Sequence, residues 1–144
     1  MRGFIFASIP NPQSPGAVRF RRLMHISHGT EHEADGGIIA SFDEPIKAWT
    51  VAFEWMHTCA PQHPDITIVC HAADTEDRAE IELLGHAELY ASGNEFVVLE
   101  PLYSLLETDQ KALCRDIEPL RLEDGSAREL YLAATQAIEH RTAS

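Results

Sequence analysis

The chain has 144 residues, 44% of them hydrophobic, with 23 acidic against 11 basic side chains and a formal charge of −12. That length suits a domain with a real core, and the hydrophobic fraction excludes a disordered chain. No apolar run reaches the roughly 20 residues of a membrane span, and the mean field repels a phosphate backbone.

Gly3 to Ile9 is apolar and reads as a strand, and Asn11-Pro12-Gln13-Ser14-Pro15-Gly16 reads as a turn. Ala17 to Ser27 is expected to be a second strand. Val18, Phe20, Met24 and Ile26 alternate on one face, Arg19, Arg21 and His25 lie on the other, and Arg22 marks a bulge or edge. His28 to Gly37, with three glycines, is expected to be a loop, and Ile38 to Phe42 a third strand. A helix over 44–58 follows, with Ser41 or Asp43 as its cap and Ile46, Trp49, Phe53 and Met56 on one side. Trp49 and Trp55 fall on roughly opposite sides of it, which exposes one of them at a partner or dimer interface. Ile66 to Cys70 is nearly all apolar, as in a strand buried on both faces and paired in parallel. A helix from Asp74 or Thr75 to about Tyr90 and a strand over Phe96 to Leu99 come next. The remainder is expected to be helical, over Thr108 to Leu120 and again after the capping box Ser126-Ala127-Arg128-Glu129.

The fold class is therefore mixed α/β: a three-stranded antiparallel meander continuing into a mixed five-stranded sheet with helices packed on it. The chain reads as one domain, 1–144, with the meander in 1–43, alternating helix and strand in 44–100, and helices in 101–144.

Phe4-Ile5-Phe6-Ala7-Ser8 followed by the Asn-Pro-Gly-rich turn, with a helix over 44–58 and a strand over 66–70, resembles the ribonuclease H-like fold in its order of elements. That resemblance implies carboxylates holding two divalent metals. The matching positions fall near Ser8, near Pro45 beside Glu44, and near His71 with Asp74 three residues on. The first-strand acid is missing, since no acid occurs before residue 31, so the nuclease chemistry implied by the family lacks its bridging ligand.

Several clusters carry chemistry. His25, His28 and His32 stand with Glu31, Glu33 and Asp35 within eleven residues, and with Asp43 they form a candidate metal set for zinc or manganese. The glycines around them argue equally for a solvated loop. His71 and Asp74 lie at the end of a buried strand, where open α/β sheets place ligands, and Asp74 also suits a helix cap. Arg19 and Arg21 are a candidate anion-binding pair. Cys59, Cys70 and Cys114 are odd in number and contain no CxxC spacing, which fits a reducing cytoplasm better than a disulfide framework.

Charge is polarised along the chain. Residues 1–72 hold 5 bases and 7 acids, and residues 73–144 hold 6 bases and 16 acids. The leading expectation is a non-catalytic acidic interaction protein, an inhibitor-like binder of a macromolecular partner. Its contact surface would run through Glu76, Asp77, Glu80, Asp116, Glu118 and Glu123, and its partner would be a basic protein. Nucleic acid is disfavoured on that half, no membrane is involved, and a homodimer is compatible with the chain. No cofactor is required. The alternative is a metal-dependent hydrolase or nuclease of degenerate ribonuclease H-like type, with a divalent metal on the His/Asp cluster.

Overall fold

The computed structural model describes residues 1–34, 36–74, 86–92, 94–122 and 125–135. Strand β1 (Arg2–Ser8) leads into helix α1 (Pro15–Ile26), and strands β2 (Thr30–Ala34) and β3 (Gly37–Phe42) form a hairpin. Helix α2 (Pro45–Thr58) and a 3-10 turn at Ala60–Gln62 precede strand β4 (Thr67–Ala73). Strand β5 (Phe96–Leu99), the short helices α3 (Leu102–Leu105) and α4 (Thr108–Lys111), and strands β6 (Cys114–Asp116), β7 (Leu120–Arg121), β8 (Ala127–Arg128) and β9 (Leu130–Ala133) complete the chain.

Seven strands make one mixed sheet in the order β2-β3-β1-β4-β5-β9-β6, and β7 pairs with β8 in a separate ribbon. Every pairing in the large sheet is antiparallel except β4 with β5. The mixed α/β class is as expected, with seven strands rather than five. The parallel pairing of the 66–70 strand is also found, and β4 is buried along both faces.

The expected meander is absent, because residues 15–26 are a helix. Ser14 caps it, its side chain accepting from the Ala17 N–H, and Pro15 occupies the first turn, where a missing N–H costs nothing. Ala17, Phe20 and Met24 are buried at helical spacing. β1 therefore reaches β2 through a helical crossover, and β3 returns to pair with β1. The first four strands and two helices form a β-α-β-β-α-β unit with strand order 2-3-1-4.

Helix α2 occupies the expected span, with Glu44 at its N-cap and no side-chain cap bond, so neither Ser41 nor Asp43 caps it. Both tryptophans are buried, contrary to the expected exposure of one. The helical expectation for 101–144 also fails. Cys114 to Asp116 and Leu130 to Ala133 pair in the large sheet, and only α3 and α4 are helical there among the described residues. The helix expected after Asp74 lies largely outside the described residues.

The sheet divides the core in two. Ile5, Ala7, Ile38, Ala40, Cys70 and Phe96 face α1 and α2. Phe4, Phe6, Ile39, Val69, Val97 and Leu99 face the opposite side, under Ala87, Leu120 and Ile117. This second layer buries the face of the sheet turned away from α1 and α2, each large apolar side chain contributing about 1.5–3 kcal/mol.

Candidate functional site

The site grows from the way α1 lies along the hairpin. Burying Ala17, Phe20 and Met24 on the sheet turns the side chains of Arg21, Arg22 and His25 toward β2. On β2, Glu31 stands opposite Ala40 and Glu33 opposite Ile38, so both carboxylates share the helix-side face. His32 stands opposite Ile39 and therefore lies on the other side of the sheet.

Two clefts meet at Arg21, which is half-buried. The first has a volume of about 340 Å3, within the range of small-ligand pockets. Ile9, Pro10 and Pro12 of the β1–α1 connection form one wall, and Glu33, Ala34 and Ile38 form the other. The floor is closed where the Ile9 N–H donates to the Gly36 carbonyl at 2.8 Å. The second, shallower cleft, of about 560 Å3, is bounded by Arg21, Arg22, His25, Gly29 and Glu31. Among the described residues, no ion pair joins Arg21 or Arg22 to a carboxylate. One end of the groove thus mixes apolar side chains with Arg21 and Glu33, and the other is rich in hydrogen-bond donors.

The structure scatters most residues singled out from sequence. His25 is on the last turn of α1, His28 is an exposed turn residue with φ 63, His32 is behind the sheet, and Asp43 precedes α2. No group of three metal-ligating side chains occurs among the described residues, so the expected zinc or manganese set does not fit a metal. The pleat of β2 turns His32 away from the helix side, and His25, His28 and Asp43 lie on three other segments. Arg19 donates to the Gln62 side chain, away from Arg21, so the expected arginine pair is split.

His71 is 1% exposed in β4, whereas Asp74 is exposed and pairs with the N-terminal amine at 3.6 Å. They do not form a crevice site. Of the expected acidic surface, Asp116 and Glu118 are exposed, but not on the expected helix. Glu76, Asp77, Glu80 and Glu123 lie outside the described residues. Arg22, Glu31 and Glu33 were not linked with Arg21 in the sequence reading. The Ser14-Pro15 start of α1 is the signal that links them, because it places 21, 22 and 25 on one helix flank.

Cys70 and Cys114 are not poised as nucleophiles. Burial pushes the Cys70 thiol well up, and it pushes Cys114 up to about 12. Tyr131 stacks on Tyr103 with ring centres 3.6 Å apart. Desolvation first, and then the charges of Glu100, Asp116 and Glu129, raise Tyr131 to about 12. These groups favour the protonated form more strongly in the fold than in the open chain. Their contribution to stability is complete below the ordinary thiol and phenol values and is lost as pH rises toward 12. Thermal unfolding measured from pH 8 to 12 should show a steady fall in Tm above about pH 9, and a flat profile to pH 12 would contradict this account.

No protein-family profile matches the chain, and no curated protein sequence is similar to it. Among solved structures, it is similar to an adenylate/guanylate cyclase/hydrolase from Silicibacter pomeroyi, with a TM-score of 0.66 and 12% identity. The match covers 94% of this chain and 96% of that one. That likeness establishes the fold. It overturns the ribonuclease H-like resemblance, as the helical crossover between β1 and β2 already requires. The neighbour is described neither as a nuclease nor as an interaction module. The readings as a non-catalytic acidic inhibitor and as a degenerate ribonuclease H-like hydrolase are both set aside.

Proposed function

We propose that the chain binds a nucleotide in the groove between α1 and β2, with the phosphate at Arg21, Arg22 and His25. The observation that carries this reading is Arg21, half-buried where the two clefts meet, with no carboxylate paired to it among the described residues. A guanidinium held by packing and left with unused donors is suited to a planar oxyanion. Pro10 and Pro12, exposed over the buried Ile9 and Ile38, offer an apolar wall to a flat base. The description of the structural neighbour as an adenylate/guanylate cyclase/hydrolase favours the same ligand class.

Chemistry on nucleotide phosphates commonly draws on divalent metals, so a divalent cation is the cofactor class to test, although the described residues group no ligands for one. The three free cysteines favour a reducing, cytoplasmic setting. No described helix is long and apolar enough to cross a membrane.

Calorimetric titration with adenine and guanine nucleotides carrying one to three phosphates, with and without Mg2+, tests the reading. We expect saturable binding that weakens about tenfold or more in Arg21→Ala, since hydrogen bonds to charged groups contribute roughly 1.5–3 kcal/mol. Binding unchanged by that substitution, or absent for every nucleotide, would overturn it. Product analysis of the same mixtures reports any turnover.

A further inference from the structure

We infer that the groove selects nucleotides with a single phosphate, as a monoester or a cyclic diester, over di- and triphosphates; this rests on the nucleotide reading above. The ground is the charge lining the groove. Arg21 and Arg22 bring two guanidinium cations from α1, with His25 beside them, and Glu31 and Glu33 bring one carboxylate to each cleft from the facing side of β2. Among the described residues the guanidinium and carboxylate charges balance. A first phosphate can take the donors of Arg21 and Arg22, because no internal carboxylate holds them among the described residues. Each further phosphate adds at least one negative charge with no guanidinium left to meet it and only the His25 ring beside it, and it extends along a wall that carries Glu31 and Glu33. Like charges held close repel one another.

The placement of the two glutamates is fixed by the sheet. They are two residues apart on one strand, so the pleat sends both the same way, toward α1. Neither can move to the other face without a change of register, which the five-residue β2–β3 ladder opposes. Arg21 is equally constrained, because the helix that carries it is locked by Phe20 and Met24, both fully buried. The discrimination is therefore electrostatic and needs no steric gate.

The inference also assigns roles within the groove. Arg21, reaching both clefts, would bind the phosphate next to the sugar, and Arg22, exposed at the outer end, would add charge without fixing orientation. The carboxylates would act as a filter on phosphate number.

The test is titration of AMP, cyclic AMP and ATP in EDTA-containing, metal-free buffer against the full chain and against the Glu31→Gln/Glu33→Gln double variant. Circular dichroism melting of both checks that the variant folds. The expected result is that the natural chain binds AMP and cyclic AMP at least tenfold tighter than ATP, and that the double variant loses or reverses this preference. ATP bound as tightly as AMP by the natural chain would overturn the inference while leaving nucleotide binding intact. A preference that survives in a folded double variant would also overturn it. Binding of none of the three would sink the nucleotide reading and this inference with it. If the double variant fails to fold, the single substitutions Glu31→Gln and Glu33→Gln, each expected to shift the ratio part of the way, take its place.

Discussion

Replacing Trp55 with alanine will lower the unfolding free energy by about 3–5 kcal/mol, the usual range for emptying a large aromatic site. Trp55 is fully buried in α2. Its ring meets the edge of Phe20 on α1 at 5.5 Å and stacks against His63 at 6.0 Å, so it joins three segments at once. Losing it removes apolar contact from both helices and leaves a void that the sheet beneath cannot fill. The indole N–H is buried with no hydrogen-bond partner among the described residues. Trp55→Phe should therefore cost less than its loss of volume alone suggests, because it also removes an unmet donor. Urea unfolding of the natural chain and both variants reads this directly. A Trp55→Ala loss under about 1 kcal/mol would mean that α1 is not held through this ring. Loosening α1 should also weaken any ligand that depends on Arg21.

Gly37→Ala is the second large effect. Gly37 opens β3 opposite Ser8, and a Cβ there would collide with the carbonyl of Ala7. The obstacle is backbone, which cannot rotate aside, so β1 and β3 must separate at the end where the ligand groove begins. Overpacking of this kind costs about 1–3 kcal/mol or more. Gly36 supplies an internal comparison. Its φ of 75 favours glycine, but a Cβ there meets nothing within 4 Å. Gly36→Ala should cost about 1 kcal/mol from backbone strain alone. Chemical denaturation of the two variants separates crowding from strain. If Gly36→Ala were the more damaging, the close approach of β3 to β1 would not be what holds this corner.

What could be read from the sequence, and what could not, follows from periodicity. Gly3 to Ile9, the 44–58 helix, Ile66 to Cys70 and Phe96 to Leu99 were legible because each is a long or doubly buried apolar run. Residues 17–27 were not, because Phe20 and Met24 are four apart and satisfy both a strand and a helical face. The Ser14-Pro15 pair decided it in favour of the helix. Residues 126–129 form a good capping box on paper, yet Leu130 to Ala133 pairs with both β5 and β6, and sheet hydrogen bonding prevailed over the local signal. The site suffered from the same error. Read as a strand, 17–27 makes Arg22 a bulge rather than a partner of Arg21, and it groups Glu31 and Glu33 with His32, which the pleat sends to the opposite side.

The exposed strand β2 lies at one margin of the sheet among the described residues. A second molecule laying its own copy of that strand antiparallel alongside, centred on His32, would set Glu31 against Glu33 at two places. Directly opposed like charges disfavour such a ladder, and open margins of this sort are where unwanted fibre growth begins. The same two acids that face a ligand within one molecule therefore also guard against self-templated stacking, and neutralising them would expose the chain to aggregation.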